Sequence, residues 1–418
     1  MEFQRDKYLK QLISGKDNSL VKIVTGIRRC GKSYLLFKLF KHHLLKSGVP
    51  ESNIISLALY DWDSQEFCDP NRLMQYIKER LNETEGRCYI LIDEVQLLDR
   101  FVEVLLSLMH NDRCDTYVTG SNSRFLSSDV VTEFRGRGDE IRLHPLSFSE
   151  YYAAFGGNKT DQVRQYSIYG GLPQVALLDD VAKKRLFLNN LFQSTYLRDV
   201  IERNKVLNDE GLEELVKILA SAIGSPTNPT KIANTFKSVN NQSVSHNTIS
   251  SYISHLLDAY IIQEAMRYDV KGRKYIGTNS KYYFSDIGIR NAILNFRQQE
   301  PTHIMENIIY NELVGRGYSV DVGNVETWFT NGQGKTARAT LEVDFVVNND
   351  DERIYVQSAY SMPTREKVQQ EQNSLLHIKD GFRKVIITAD DVAPWTTDAG
   401  VRIINYWDFL LDEKLLFS

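Results

Sequence analysis

The sequence contains few cysteines and no long apolar run, and each absence excludes a class of protein. Its 418 residues include four cysteines, Cys30, Cys68, Cys88 and Cys114, none in a Cys-x-x-Cys spacing, so neither a disulfide framework nor a zinc site is expected. No stretch approaches the roughly 18 apolar residues of a membrane helix, and the first residues lack the layout of a secretory signal. We therefore expect a cytoplasmic protein that does not enter a membrane.

The chain also lacks a large excess of positive or negative charge. The chain has 50 Lys and Arg against 54 Asp and Glu, a net charge of −4, so any basic surface for nucleic acid has to be local. The length favours about two to four domains and provides enough core for a large α/β unit.

The clearest positive feature is a phosphate-binding loop near the start of the chain. Residues 26–33 fit the pattern of a glycine, four residues and Gly-Lys-Ser, between a predicted strand at 20–25 and a predicted helix at 34–40. In this context Lys32 would reach the β and γ phosphates of ATP and Ser33 would hold Mg²⁺. The expected nucleotide-binding residues are Gly26, Ile27, Arg28, Arg29, Cys30, Gly31, Lys32, Ser33 and Tyr34.

A second motif follows about 60 residues later, where an apolar strand at 87–92 ends in Asp93 and Glu94. This is a Walker B arrangement, in which Asp93 would bind the Mg²⁺ shell and Glu94 would polarise the attacking water. Two acids that only solvate a strand end are the alternative, and the upstream phosphate loop disfavours it.

Three further residues are candidates for the same chemistry. Asn122 follows a predicted strand at 116–119 and is a candidate sensor of the γ-phosphate, although an Asn favoured by the turn itself explains it nearly as well. Arg135 and Arg137 precede a strand at 140–143, and either is a candidate arginine finger acting on a neighbouring subunit. A solvated basic turn is the equal alternative for both arginines.

Together these motifs resemble a known group. The chain is similar to the prokaryotic ATP-binding protein family that joins an AAA-type P-loop ATPase to a C-terminal domain of unknown function. The Pro-Leu-Ser-Phe and Gly-Gly-x-Pro segments, in this order, are the most specific part of the likeness, which covers nearly the whole chain. The matching segments are 25–33, 91–96, 119–123, 144–150, 169–173, 281–288, 306–307 and 342–345.

The resemblance implies an AAA-type ATPase core over residues 1–146 and a helical lid over 147–212. In AAA-type enzymes such a bundle reports hydrolysis as a rigid-body movement, and Gly170-Gly171 would suit a fixed bend, although plain packing explains the same pair. A homo-oligomer is expected, with a hexamer as the candidate arrangement.

Residues 213–292 have the element order of a winged helix, with helices at 212–223, 230–236 and 246–257 before a hairpin that turns at Gly272. Residues 216–290 hold nine Lys or Arg against four Asp or Glu. A basic wing and a polar helix face favour DNA contact, although winged helices also bind proteins. The expected DNA-binding residues are Lys271, Arg273, Lys274, Asn247 and Ser250.

Residues 293–418 have the layout of a restriction-endonuclease-like domain, with a helix at 305–316 and strands at 318–322, 325–330, 341–347, 353–358 and 384–388. Glu306, Asp344 and Gln357 fall where such nucleases hold metal, and Glu342 has the same side-chain parity as Asp344. Gln357 offers a neutral carbonyl where a carboxylate belongs, and Ala359 stands in the place of the usual lysine. We therefore expect a nuclease-like fold that does not cleave.

The sequence as a whole predicts an α/β protein: a P-loop AAA-type ATPase with a helical lid, then a winged helix and a restriction-endonuclease-like domain. The expected cofactors are ATP and Mg²⁺, and the expected partner is DNA, with branched or structured DNA as a candidate. Two alternatives stay open. One is a signalling NTPase that binds a protein partner, and the other is an active nuclease coupled to ATP.

Overall fold

The computed structural model describes residues 2–120, 138–240, 244–330, 336–350 and 352–417. The chain divides into two compact units. The first contains Met1–Pro145 and Asp258–Tyr260, and the second contains Leu146–Leu257 and Ile261–Ser418. Within the described residues, no helix has the length and apolar character needed to cross a bilayer.

The first unit is built on a five-stranded sheet in which every pair of neighbours is parallel, in the order β2-β3-β4-β1-β5. β1 and β3 are buried along their whole length, which explains why they read as continuous apolar runs. The predicted α/β core is confirmed. The strands are β1 (Val21–Thr25), β2 (Ile54–Ala58), β3 (Cys88–Asp93), β4 (Cys114–Thr119) and β5 (Gly138–Arg142).

Helices connect these strands. One of them spans Pro70–Glu83, and Asp69 caps its first turn by accepting from the N–H groups of Asn71 and Arg72 at 2.8 and 3.0 Å, as expected for an N-cap. The helix after the phosphate loop continues from α2 through a π-helical segment, Leu35–Phe40, into α3. The helices are α1 (Asp6–Ser14), α2 (Lys32–Tyr34), α3 (Lys41–Lys46), α4 (Pro70–Glu83) and α5 (Phe101–Met109).

The second unit begins with helices, in the segment where a helical lid is expected at 147–212. A capping box starts the first one, because the Ser147 hydroxyl accepts from the Glu150 N–H and the Glu150 carboxylate accepts from the Ser147 N–H. The helices are α6 (Phe148–Phe155), α7 (Lys159–Tyr169), α8 (Pro173–Ala176), α9 (Val181–Leu191) and α10 (Arg198–Asn204), with a π-helical segment at Phe192–Leu197.

Three helices and a hairpin follow in the predicted order. They are α11 (Asp209–Ser221), α12 (Pro229–Asn240), α13 (His246–Asp258), β6 (Ile262–Asp269) and β7 (Lys274–Phe284). The turn between the strands closes where Asp269 accepts from the Gly272 N–H at 2.8 Å. Arg273 takes the left-handed conformation there, with φ 52°, whereas the sequence suggested Gly272 as the turning residue.

The hairpin belongs to a larger sheet of eight strands, in the order β12-β13-β11-β10-β9-β8-β6-β7. β6 pairs in parallel with β8, so the sheet crosses the boundary that the sequence suggested between residues 292 and 293. The other strands are β8 (Ser319–Thr330), β9 (Thr336–Asn349), β10 (Glu352–Ala359), β11 (Arg383–Thr388), β12 (Trp395–Thr396) and β13 (Arg402–Asn405), and the helices are α14 (Ile287–Ile293), α15 (Pro301–Gly315), α16 (Arg365–Leu376) and α17 (Tyr406–Leu411).

The prediction of two strands at 318–322 and 325–330 was wrong, because β8 is one strand with an irregularity between Asp321 and Gly323. A Cβ at Gly323 would lie 2.9 Å from the Val343 Cβ on the paired strand. The glycine therefore permits close packing inside a strand, although in the sequence it reads as a turn signal.

Candidate functional site

The phosphate loop joins β1 to α2, and its glycines have the backbone conformations that it needs. Gly26 has φ 137° and Gly31 has φ 103°. A Cβ at Gly26 would lie 2.1 Å from the carbonyl oxygen of Leu143. Any larger residue at position 26 would therefore displace the loop or the chain beside it.

Lys32 lies at the start of α2 and is 5% exposed. Its ammonium group donates to the carbonyl oxygens of Gly26 and Ile27 at 3.0 and 3.2 Å. The amine is thus held against the loop that precedes it, where it can exchange these neutral acceptors for phosphate oxygens. Cys30, in the middle of the loop, is buried, and burial raises the pKa of its thiol.

Asp93, the last residue of β3, is fully buried. Its Oδ1 accepts from the Thr119 hydroxyl, while its Oδ2 has no hydrogen-bond partner among the described residues. Burial raises the pKa of the carboxyl, and the Ser33 and Thr119 hydroxyl groups and the Lys32 charge oppose that rise. The structure therefore brings Lys32, Ser33 and Asp93 together, as the two motifs predict.

A buried carboxylate oxygen without a partner fits a metal ion. Leaving such an atom unsatisfied costs about 1–3 kcal/mol, and Mg²⁺ prefers hard oxygen ligands and keeps several waters. Asp93 and the Ser33 hydroxyl are the protein oxygens that would hold Mg²⁺ here, and the ion would supply positive charge beside the nucleotide phosphates.

Glu94 has an uncommon backbone conformation for a glutamate, with φ 53°. Its N–H donates to the Thr119 Oγ1 at 3.0 Å, and its carboxylate accepts from the Gln96 side-chain amide. A left-handed non-glycine residue costs energy that neighbouring contacts must offset. These contacts hold the Glu94 backbone at the end of β4 and its carboxylate beside the Gln96 amide.

Thr119 is a site residue that the sequence reasoning missed. It ends β4, which lies between β1 and β3 in the sheet, and its hydroxyl contacts both Asp93 and Glu94. In the sequence it reads as an ordinary β-branched strand residue, and only the strand order reveals its place. The predicted sensor Asn122 and the candidate fingers Arg135 and Arg137 lie outside the described residues.

The sequence matches two family models, which cover successive stretches of the chain. A model described as "AAA domain" matches residues 18–152, and one described as "Domain of unknown function (DUF8612)" matches residues 160–300. An uncharacterized protein of Haemophilus influenzae is 33% identical over 412 residues, which cover 97% of this chain and 98% of that protein. The chain belongs to the same family as this protein.

A second relative is more distant in sequence. The uncharacterized protein MJ1544 of Methanocaldococcus jannaschii is 25% identical over 423 residues, covering 94% of this chain and 88% of that protein. The solved structure of the Walker-type ATPase PABY2304 of Pyrococcus abyssi has a similar fold, with a TM-score of 0.51 and 13% identity over 70% of this chain and 96% of that one. The two family models confirm the prediction of an AAA-type ATPase domain followed by a domain of unknown function in this chain. The matched domain of unknown function ends at residue 300, before most of the predicted nuclease-like segment.

Two of the family segments form one contact in the second unit. The Asp286 carboxylate accepts from the Gly171 N–H at 2.7 Å and caps α14 by accepting from the Ile289 N–H at 3.1 Å. A Cβ at Gly170, where φ is 75°, would lie 2.2 Å from the same carboxylate. Burial raises the pKa of Asp286 to about 6 against these N–H donors. Gly170 is required by this contact, whereas a Cβ at Gly171 would lie 2.2 Å from the carbonyl oxygen of Leu146. The sequence reasoning did not predict either constraint.

The predicted nuclease remnant is assembled around a residue that the sequence reasoning did not include. Lys281, on β7, is 1% exposed, and its Nζ lies 2.8 Å from Glu306, 2.8 Å from Glu342 and 3.4 Å from Asp344. Glu342 and Asp344 lie on the same face of β9, as their spacing predicts, and both contact one cation, the Lys281 ammonium group. In the sequence Lys281 belongs to the segment 281–288, which lies before the predicted domain boundary, so it was not grouped with these acids.

Gln357 is less closely engaged with this cluster. Its Oε1 accepts from the Asp344 N–H at 3.4 Å and from the Ser374 hydroxyl at 3.5 Å. Ala359, in the position where a nuclease would carry its lysine, packs in the apolar core of the domain. The described residues contain no group of three or more His, Cys, Asp or Glu arranged to hold a metal ion.

The predicted DNA-binding residues differ in exposure. Lys271, Arg273 and Lys274 are exposed at the hairpin turn, and Asn247 is exposed on α13. Ser250 is half-buried and lines a polar cavity of about 420 Å³ between α13 and β7. Two of the nine basic residues and two of the four acidic residues in 216–290 are buried. The exposed residues of this segment therefore keep the positive surplus that the sequence indicates.

Proposed function

We propose that this protein is a Mg²⁺-dependent ATPase that acts with DNA through a winged helix, next to a nuclease-like domain that does not cleave. The observation that carries the ATPase is the buried Asp93 oxygen without a partner among the described residues, beside Lys32 and Ser33. In this proposal Lys32 binds the β and γ phosphates, and Glu94 polarises the attacking water. The Thr119 hydroxyl holds the Asp93 carboxylate and the Glu94 backbone in place.

The test of this proposal is the rate of ATP hydrolysis with Mg²⁺ or EDTA, in the absence and presence of single-stranded, double-stranded and branched DNA. We expect hydrolysis to require Mg²⁺ and to rise with at least one DNA form. Hydrolysis in EDTA at the Mg²⁺ rate would contradict the assigned roles of Ser33 and Asp93. A rate indifferent to all three DNA forms would favour a switch that binds a protein partner.

The DNA part of the proposal rests on the exposed cations at the hairpin turn. If Lys271, Arg273 and Lys274 contact phosphates, replacing all three with Ala weakens binding of every sequence and lowers the salt slope by about one for each lost contact. The matched control replaces three exposed lysines elsewhere in the second unit, Lys183, Lys379 and Lys414, with Ala. Equal effects of the two triple variants would remove the hairpin from the DNA-binding surface.

The inert character of the nuclease-like domain is supported by Gln357, which offers a neutral carbonyl in place of a carboxylate, and by Ala359, which offers no general base. Supercoiled, linear and branched DNA incubated with Mg²⁺ or Mn²⁺ should stay intact. Cleavage by the wild type that Asp344→Ala abolishes would instead identify an ATP-coupled nuclease.

Assembly is the last part of the proposal, in which Arg135 or Arg137 acts on the nucleotide of a neighbouring subunit. Mixing Lys32→Ala with Arg135→Ala or Arg137→Ala subunits tests it, since each pair would form some complete sites. Recovery of hydrolysis on mixing supports a finger in trans, and its absence with both arginine variants contradicts it.

A further inference from the structure

The Lys281 cluster contains more acid than its one lysine can neutralise. Three carboxylates, from Glu306, Glu342 and Asp344, contact the Lys281 ammonium, and Lys281 and Glu306 are buried. An unpaired buried charge is strongly destabilising. A full set of ionised acids would therefore leave an excess of negative charge that an apolar interior does not tolerate.

Further contacts hold the acids in this arrangement. The Tyr283 hydroxyl donates to Glu306 at 2.7 Å, and the Ser358 N–H donates to the second oxygen of Asp344 at 2.9 Å. A Cβ at Gly224 would lie 2.7 Å from Glu306. The carboxylates are therefore directed at the ammonium by α15, β9 and their surroundings, and the position they surround is a built cation site.

A divalent metal does not fit this position while Lys281 occupies it. Mg²⁺ requires oxygens at about 2.0–2.1 Å, whereas the three carboxylates lie at hydrogen-bond distances from a nitrogen at their centre. The Oε1 of Gln357 accepts from the Asp344 N–H, so it is engaged with the backbone. A second cation beside the ammonium would also be repelled by it.

We propose that the Lys281 ammonium is the resident cation of this site, and that Glu306, Glu342 and Asp344 form a divalent-cation site once the ammonium is removed. Lys281 makes the domain independent of metal, because the lysine supplies covalently the positive charge that the acids require. This inference rests on the proposed nuclease-like domain in one respect, the comparison with nucleases of that fold that depend on metal. Its test uses neither ATP nor DNA, so its failure is separate from failure of the proposed function.

The experiment measures Mn²⁺ binding by calorimetry and electron paramagnetic resonance, in an Asp93→Ala background that removes the expected metal ligand of the nucleotide site. Lys281→Ala should bind about one additional Mn²⁺ per chain, at least about tenfold more tightly than the background protein. Mn²⁺ should also raise the melting temperature of this variant and leave that of the background protein unchanged. Adding Asp344→Asn to Lys281→Ala should remove both effects.

Two results would overturn the proposal. One is Mn²⁺ binding by the background protein, with Lys281 in place, that Asp344→Asn abolishes. The other is a folded Lys281→Ala protein with no additional Mn²⁺. If Lys281→Ala alone does not fold, Lys281→Ala with Glu306→Gln, which leaves two carboxylates, is put through the same measurements and judged by the same two results. When Lys281→Ala is made in the protein that keeps Asp93, an unchanged rate of ATP hydrolysis confirms that the substitution leaves the first unit folded.

Discussion

Lys32 and Lys281 are both buried lysines beside carboxylates, but their ammonium groups have different partners. Lys32 donates to two carbonyl oxygens of its own loop, and the nearby Asp93 keeps one oxygen without a hydrogen bond from the described residues. Lys281 is bound by three carboxylates. A site that takes up a charged ligand needs polar groups that the fold leaves uncompensated, whereas a cluster that already holds a cation of its own repels a second one.

Because the partners differ, removing the lysine should have a different effect at each site. At the nucleotide site the loss should appear in ligand binding, because the loop carbonyls can be hydrated when the amine is gone. In the cluster it should appear in stability, since the acids would be left buried without a counter-ion, at a cost on the order of 3–5 kcal/mol.

The largest effect is expected for Lys32→Ala, which removes the fixed cation of the phosphate loop. ATP affinity should fall by at least about 100-fold, or 2.7 kcal/mol, and hydrolysis should be lost with it. Titration with a fluorescent ATP analogue measures the affinity. Lys281→Met is the matched control, and it should keep the wild-type affinity; an equal loss in both variants would break the comparison between the two lysines.

Glu94→Gln should separate binding from chemistry at the nucleotide site. The amide keeps the shape of the side chain but cannot accept a proton from water, so hydrolysis should slow by about 10²–10⁴-fold while ATP affinity stays within about twofold of wild type. Glu103→Gln, on the exposed face of α5, is the control and should hydrolyse normally. A Glu94→Gln protein that turns over at the wild-type rate would exclude Glu94 as the residue that polarises the attacking water.

Thr119→Val tests whether the hydroxyl between the two acids matters for turnover. Valine has nearly the same shape but cannot bond to Asp93 or to the Glu94 N–H, so kcat should fall by about 10- to 100-fold, the equivalent of one or two hydrogen bonds. Thr116→Val, on the same strand, is the control because the Thr116 hydroxyl is buried with no hydrogen-bond partner among the described residues. Similar rates for the two variants would mean that Thr119 contributes only to packing.

The smallest effect is a pH dependence that belongs to the Lys281 cluster. Burial raises the pKa of Glu306 to about 7, against the pull of the Lys281 charge and with Asp344 adding to the rise. Glu342 contacts the same Lys281 ammonium, and the His303 ring faces Glu306. Between pH 4.5 and 7 the folded protein therefore holds a proton that the unfolded chain has released. The second unit should lose about 1–3 kcal/mol of stability as pH rises through this window.

Glu306→Gln is neutral at every pH and should flatten this slope, whereas the exposed Glu352→Gln should leave it in place. Urea unfolding followed by tryptophan fluorescence measures the effect, in a Trp62→Phe background where the remaining tryptophans, Trp328, Trp395 and Trp407, all lie in the second unit. A slope in Glu306→Gln equal to that of wild type would assign the proton to another group.

Much of the nucleotide site could be predicted from the sequence, because its chemistry is carried by short segments. A phosphate loop needs glycines at fixed spacing for its backbone conformation, and Gly26 and Gly31 have the positive φ angles that the spacing implies. Asp93 and Glu94 were equally accessible, since two acids at the end of a fully buried strand are costly without a ligand. The strands and helices around them follow from local apolar patterns.

The tertiary structure decided which distant residues share a position. Thr119 meets Asp93 because β4 lies between β1 and β3, and strand order is not written in any one strand. Lys281 meets Glu306 and Asp344 because β6 and β7 join the sheet of the last segment. Local periodicity specifies a strand and its faces, but the pairing of strands far apart in the chain depends on how the whole core packs, and the partner of a buried charge is chosen at that step.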